Sequence, residues 1–359
     1  MDMTTVELDK EKAEAFAGRM LGMMNEAGLA LMTSIGHRTG LWDALRDAPA
    51  QTTEQIANSA GLSERYVREW CGAVTTGGIL EYDPAAKTYR LPAEHAAFLT
   101  RREPQNNIAA VTQYVGLMGC IEDKIVECFQ KGGGVPYDAY PRFHEVMAED
   151  SGQSLVPVLI EQVLPLAPGL PEALEKGIDV LDVGCGSGRA LLRMAATYPA
   201  SRFYGFDLSK EATDQARRQA AEQGLTNVWF DVRNVAQLPK GRTFGLITAF
   251  DAIHDQAWPD IVLANIYRHL APGGTFLMQD IKASSYVEKN MGKPIATFLY
   301  SISTMHCMTV SLAQGGMGLG TCWGEEKALE MLRAAGFKRT TIEQLPHEIQ
   351  NQYYVSRKE

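Results

Sequence analysis

Residues 178–188 read IDVLDVGCGSG, and this stretch of the 359-residue chain constrains the fold most. Ile178, Val180, Leu181 and Val183 form a β-branched, apolar run that stops at Gly184, Gly186 and Gly188, and Arg189-Ala190-Leu191-Leu192 then opens a helix. Glycines at a strand-to-helix turn let a ligand approach the backbone closely, and the first helical turn offers N–H groups that have no intrahelical partner. Such a turn alone is a weak signal. Asp207 strengthens it: a second predicted strand, Ser201–Phe206, ends there, nineteen residues beyond Gly188. An acid in that place can accept both hydroxyls of a ribose.

Further strands are expected at Val228–Val232, Gly245–Phe250 and Gly274–Gln279, and a terminal hairpin at Thr340–Leu345 and Gln352–Ser356. Strands alternating with helices in this way predict an α/β sandwich with a largely parallel sheet. Asp182 precedes the first glycine by two residues, and the glycines make a single tight GxGxG. Together these resemble motif I of the class I S-adenosylmethionine (SAM)-dependent methyltransferases rather than a dinucleotide fingerprint. The resemblance implies a Rossmann-like, seven-stranded fold, SAM as cofactor and S-adenosylhomocysteine as product. The cofactor residues it implies are Asp182, Gly184, Gly186, Gly188, Asp207, Leu208, Asn234, Val235 and Phe250. Asn234 stands where the family usually has an Asp facing the adenine amino group, and its side-chain carbonyl can accept the same hydrogen bond.

Methyl transfer from a sulfonium needs an aligned nucleophile and, for a neutral hydroxyl, a group to take its proton. Residues 250–274, FDAIHDQAWPDIVLANIYRHLAPGG, resemble the LHDW-type segment of small-molecule O-methyltransferases, in which the histidine is the general base. That implies His254 as base and Asp280, at the end of strand five, as its flanking carboxylate. An ordinary imidazole titrates near pH ~6.5, so a neutral acceptor is expected at pH 7. A second flanking acid has no match: the stretch GTCWGEEKALEML (320–332) puts Cys322 there, with Glu325 and Glu326 close by. Asp255 either orients the imidazole or caps the following helix. Tyr286, Met291, Phe298, Tyr300, Met305, Met308 and Met317 in residues 283–322 suit an adaptable apolar acceptor pocket or plain core packing. His306 and Cys307 are further acid/base or thiol candidates. Transfer to sulfur or nitrogen by proximity alone is an alternative. Metal-assisted transfer at Asp251, Asp255 and Asp280 is another, although no metal-ligand motif is present.

The amino-terminal half carries a different pattern. From Thr52, two short helices, the second within SERYVREW (63–70), are followed by Gly77-Gly78 and two strands at Ile79–Tyr82 and Thr88–Leu91, the pattern of a winged helix. Thr53 is the expected cap of the first helix and Ser63 of the second. Residues 1–100 hold nine Lys/Arg against fourteen Asp/Glu, and Arg65 and Arg68 are matched by Glu64 and Glu69. A major-groove reader needs an unopposed basic face, so a dimerisation or lid module is expected rather than a SAM-sensing transcriptional regulator. Small-molecule O-methyltransferases carry such a module, and the stretch is similar to bacterial winged-helix methyltransferases of largely unassigned substrate. Residues 12–48 are helical and too apolar for a lone surface helix, which suits burial under the same chain or a homodimer contact. The sequence therefore divides into a helical and winged-helix domain (1–100), a helical linker or lid (101–172) and a SAM-binding domain (173–359). Within the second, KGGGVP (131–136) is expected to be a flexible hinge or loop.

Composition limits the remaining possibilities. Hydrophobic residues make up 45% and charged residues 21%, so the chain is neither disordered nor collagen-like, and its net charge of −9 argues against general nucleic-acid binding. The six cysteines form no CxxC pair, which suits reduced thiols. The acidic start MDMTTVELDKEKAEAF lacks a signal-peptide pattern, and no apolar run reaches the ~18 residues of a membrane span. The expectation is a cytoplasmic protein acting on a small-molecule acceptor.

Overall fold

Val180, Leu181 and Val183 are fully buried although they point to both faces of their strand, because helices cover the sheet on each side. The computed structural model describes residues 8–102, 107–238, 241–346 and 348–359, and the chain forms two units, Met1–Gly116 and Leu117–Glu359. The second unit holds a seven-stranded sheet of β1 (Asp179–Val183), β2 (Arg202–Asp207), β3 (Val228–Val232), β4 (Phe244–Phe250), β5 (Leu270–Ile281), β6 (Thr340–Glu343) and β7 (Asn351–Arg357). Their order is β3-β2-β1-β4-β5-β7-β6. All neighbours are parallel except where β7 runs antiparallel to β5 and β6. This is the expected α/β architecture.

The chain leaves β1 toward β2 and β3, then returns to lay β4 on the other side of β1. The loops after β1 and β4 therefore lie side by side at the carboxyl ends of the strands, beside the crevice in which sheets of this order bind ligands. One face of the sheet packs Phe203, Leu246 and Leu277 against Leu191 and Met194 of the helix Arg189–Thr197. The other packs Ile247 and Phe276 against Leu263 and Ile266 of the helix Pro259–His269, and against Leu332 of the helix Gly324–Ala335. Each such side chain contributes about 1.5–3 kcal/mol by leaving water.

The first unit is built round Trp42 and Trp70, whose ring centroids lie 4.6 Å apart. Their indole N–H groups donate to the carbonyls of Thr33 and Met32 at 2.9 and 2.8 Å. The winged helix forms as expected, with helices Thr53–Ala60 and Glu64–Thr76 and a two-stranded wing. The cap of its first helix is Thr52, not Thr53. Thr52 closes a reciprocal capping box with Gln55, which satisfies two orphan N–H groups where Thr53 would satisfy one. Ser63 occupies the cap position of the second helix but makes no side-chain capping bond. Arg65 pairs with Glu69 at 2.6 Å and Arg68 with Glu64 at 2.7 Å.

The helix Lys10–Thr39 places Phe16, Leu21 and Met24 at 58, 64 and 68% exposure. The early part of residues 12–48 is thus not buried, whereas Leu29, Met32, Leu41, Trp42 and Leu45 pack into the core of the same unit. No helix among the described residues is long and apolar enough to cross a membrane.

The glycine run at 132–134 lies in a loop, as one of its two expectations had it, but the loop is not free throughout. Gly132 and Gly133 are left-handed and open, but a Cβ on Gly134 would lie 2.0 Å from the Thr309 carbonyl oxygen. Val135, which is buried, donates its N–H to Thr309 Oγ1 at 2.8 Å. Close backbone packing, not freedom, requires the third glycine. Gly134→Ala is expected to destabilise the protein by about 1–3 kcal/mol and to lower its melting temperature by several degrees in a calorimetric scan. An unchanged transition would contradict the packing.

Candidate active site

Gly184, Gly186 and Gly188 are all left-handed, at φ 70°, 52° and 74°. At Gly184 a Cβ would meet the Ala252 methyl at 2.6 Å, so the turn after β1 is pressed against the loop after β4. At Gly186 nothing lies within 4 Å, so the tip of the loop leaves room for a ligand to lie against the backbone. Gly188 caps the helix Arg189–Thr197 without any side-chain capping bond.

Asp207 organises this turn. Its Oδ2 accepts the Gly186 N–H and its Oδ1 the Ser209 N–H, both at 2.8 Å. Each oxygen keeps a second lone pair, which suits a ribose diol. Asp182 is buried behind the loop, accepts the Thr248 hydroxyl at 2.7 Å, and is pushed by burial up to about 7. Asn234 Oδ1 already accepts the Ala236 N–H at 2.9 Å, so its carbonyl braces the turn that would face adenine. The Val235 side chain belongs to the core and its carbonyl accepts from Asn265 at 2.8 Å. Leu208 is exposed and Phe250 is partly buried. The glycines and Asp207 come together at one end of the crevice and fit a ribosyl cofactor. Asp182 and Val235 support them through the core.

Across the crevice, the loop after β4 carries His254, which is 3% exposed. Its Nδ1 lies 2.8 Å from Asp280 Oδ1, and its Nε2 lies 3.4 Å from Asp255 Oδ1. Asp280 Oδ1 also accepts the Trp323 indole N–H at 3.0 Å and the Ile281 N–H at 2.8 Å. Burial pulls the imidazole down, but Asp280 and Asp255 on its two sides outweigh it and hold His254 well above the ordinary histidine range. The two carboxylates therefore favour the protonated ring more than water would. Asp255 flanks the ring and caps nothing: the next helix starts at Pro259 after Trp258.

The candidates His306 and Cys307 meet here with Tyr137, Tyr140 and Phe143, which the sequence left unassigned. Tyr137 donates its hydroxyl to Asp255 Oδ2 at 2.9 Å. His306 stacks on Phe143 at 3.7 Å with Tyr140 edge-on, has no hydrogen-bond partner, and is pushed by burial down to about 4. Burial pushes the adjacent Cys307 thiol up to about 11. The only hint in the sequence was an aromatic run, VPYDAYPRF (135–143), directly after the glycines.

Other expectations are redistributed. Glu326 accepts from Ser284 Oγ and the Ser285 N–H and pairs with Lys289, which hold it down to about 2. The contribution of residues 320–332 to His254 is thus Trp323, acting through Asp280, and no second acid. Met291 (76% exposed), Tyr286 and Met317 face solvent, so the Met-rich stretch is not a buried pocket as a whole. Of the three acids considered for a cation, Asp251 is bonded to Gln279 and Asn351, and Asp280 to His254. The donors that do converge are His254, Asp255 and Cys307, within 4.8 Å of one another.

Comparison with known proteins finds two matching family models in the chain. A model of an Rv2258c-like winged HTH domain matches residues 27–101, and a methyltransferase domain model matches residues 174–336. A fatty-acid O-methyltransferase of Mycolicibacterium smegmatis is 30% identical over 107 residues, which span 30% of this chain and 38% of that protein. A ubiquinone biosynthesis O-methyltransferase of Coxiella burnetii is 25% identical over 51% of this chain and 73% of its own length. The solved structure of human N-acetylserotonin methyltransferase in complex with SAM superposes with a TM-score of 0.66 at 17% identity, covering 100% of this chain and 99% of that one.

Removing the carboxylate that ties Gly186 and Ser209 together leaves the glycine loop without its anchor. Asp207→Ala is expected to weaken S-adenosylhomocysteine binding about ten- to hundredfold, the worth of one or two charge-assisted hydrogen bonds. Isothermal titration measures this directly, and an unchanged affinity would detach Asp207 from the cofactor.

Proposed function

The chain belongs to the class I SAM-dependent methyltransferases that carry a winged-helix domain ahead of the methyltransferase domain, and from that premise we propose that it methylates a hydroxyl of a small, fairly apolar molecule, with His254 as general base. The observation that carries this reading is the buried His254, fixed through Nδ1 by Asp280, on the loop that packs against the glycine turn. When bound, SAM supplies a methyl carbon whose bond to sulfur breaks, leaving the electron pair on sulfur, as the acceptor oxygen forms its new bond. Asp207 and the glycine loop hold the ribosyl part. Asp280 fixes the tautomer and direction of His254, so that Nε2 takes the hydroxyl proton. Trp323 and the buried surroundings exclude water from that exchange.

The base is the neutral imidazole, and folding raises the proton affinity of His254. The stabilisation from its carboxylate partners is complete below the ordinary histidine value of ~6.5 and is lost as pH climbs through the raised value. Turnover rises over that same window. Accordingly, His254→Ala should lose at least about a hundredfold in kcat while binding S-adenosylhomocysteine normally. Asp255→Asn should move the ascending limb of the pH–rate profile to lower pH. Undiminished turnover of His254→Ala would remove it from the mechanism.

The exposed Phe16, Leu21 and Met24 of the first helix are assigned to a homodimer contact, and the free cysteines suit a reducing cytoplasm. A charge placed on that face, Leu21→Glu with Met24→Glu, should convert a dimer to monomers in light scattering. A wild-type protein that is already monomeric would refute the assignment.

A further inference from the structure

We propose that Tyr137 is a placeholder for the acceptor: its phenol occupies the seat on Asp255 into which the hydroxyl of a phenolic acceptor must dock, so Tyr137 governs which molecules reach His254. This rests on the hydroxyl-transfer reading above and specifies its acceptor class.

The geometry is that of a bound phenol. Asp255 Oδ2 accepts the Tyr137 hydroxyl at 2.9 Å, and the other oxygen of the same carboxylate lies 3.4 Å from His254 Nε2. A hydroxyl donating to Asp255 in this way is one carboxylate away from the proposed base. The phenol ring sits edge-on to His306 at 5.2 Å and to Phe143 at 6.3 Å, and lies parallel to His144 at 6.2 Å. These surroundings select a flat aromatic ring. Burial first, and then the Asp255 charge, hold the Tyr137 hydroxyl well above the ordinary tyrosine range, so it stays a donor.

The strap that carries Tyr137 is pinned on both sides. Val135 is bonded to Thr309, and the Tyr140 hydroxyl donates to the Met305 carbonyl at 2.5 Å. Between these pins Pro136 and Asp138 are exposed and Tyr137 is only half-buried. The strap stays in place and the seat is vacated by rotation of one side chain. The Tyr137–Asp255 hydrogen bond is then a fixed cost that every acceptor must meet, and a molecule without a hydroxyl cannot offset it.

The test uses S-adenosylhomocysteine-saturated full-length protein, with 4-nitrophenol as probe and nitrobenzene as the hydroxyl-free control. Tyr137→Phe, which keeps the ring and removes the competing hydroxyl, should bind 4-nitrophenol about tenfold more tightly than wild type by calorimetry, because a charge-assisted hydrogen bond no longer has to be displaced. Nitrobenzene should gain nothing. In wild-type protein labelled with 3-fluorotyrosine, the resonance that disappears in Tyr137→Phe should shift with 4-nitrophenol and stay fixed with nitrobenzene. Equal or weaker binding by Tyr137→Phe, binding by neither protein, or a resonance unmoved at saturating probe would each overturn the proposal. Cofactor-product release across phenol, thiol and amine acceptors separates the two levels. Phenol turnover with an unmoved Tyr137 resonance overturns the placeholder alone, whereas turnover only with thiols or amines removes the hydroxyl reading beneath it.

Discussion

The reversal of strand order at β1 is the constraint on which the site depends. Because the chain builds β2 and β3 on one side of β1 and β4 and β5 on the other, two loops far apart in sequence face each other across one crevice. The first presents backbone N–H groups and Asp207. The second presents His254. The contact that locks them is small: the missing Cβ of Gly184 makes room for Ala252. Any side chain there would strain the backbone and force apart the loops that hold cofactor and base. The division of labour follows, with one side of the crevice suited to a ribosyl group and the other to proton exchange.

Buried charge sets the character of the second side. A carboxylate in the interior costs several kcal/mol unless donors surround it, and Asp280 receives three, from His254, Trp323 and the Ile281 backbone. Two of these come from elements other than β5, so the loop after β4 and the start of the helix Gly324–Ala335 are bound to one atom. The same interaction raises the proton affinity of His254, and Asp255, near its other nitrogen, adds to it. An imidazole between two carboxylates is well oriented but holds its proton tightly. A group that displaces or neutralises Asp255 restores the base. Asp255 faces both the proposed base, through Oδ1, and the proposed acceptor seat, through Oδ2.

Most of this was legible in the sequence where chemistry and backbone geometry coincide. The glycine turn, Asp207, His254 and Asp280 each lie at or just beyond the carboxyl end of a strand, and strand ends are marked by a change of periodicity. The residues that were not legible, Tyr137, Phe143 and Trp323, reach the site from helices and turns whose packing no local pattern encodes, whereas His306 was named as a candidate without a place. KGGGVP illustrates the limit. Three consecutive glycines look like freedom, yet only Gly132 and Gly133 are open, while Gly134 is demanded by the Thr309 backbone. Glycine in a sequence states that a side chain is absent and leaves unstated whether solvent or another backbone fills the space. The Met-rich stretch fails for a related reason: apolar character predicts contact with something, and Tyr286, Met291 and Met317 are largely exposed in this chain.

The pinned strap changes what controls the acceptor side. A mobile lid would admit many shapes and select among them after closure. A strap held at Val135 and Tyr140 fixes the walls in advance, so discrimination falls to the one side chain between the pins and to the polar atoms it covers. Asp255 is the polar atom pair in question, and a carboxylate beside an imidazole rewards a hydroxyl donor more than an apolar edge. His306 lies 3.9 Å from the same Asp255 oxygen, with Nδ1 unpaired. A second polar group on the acceptor, next to its hydroxyl, would thus meet a neutral imidazole rather than another charge. On the proposed reading, selectivity rests on hydrogen-bond matching at fixed positions, the arrangement that discriminates most strongly against analogues lacking the matching group.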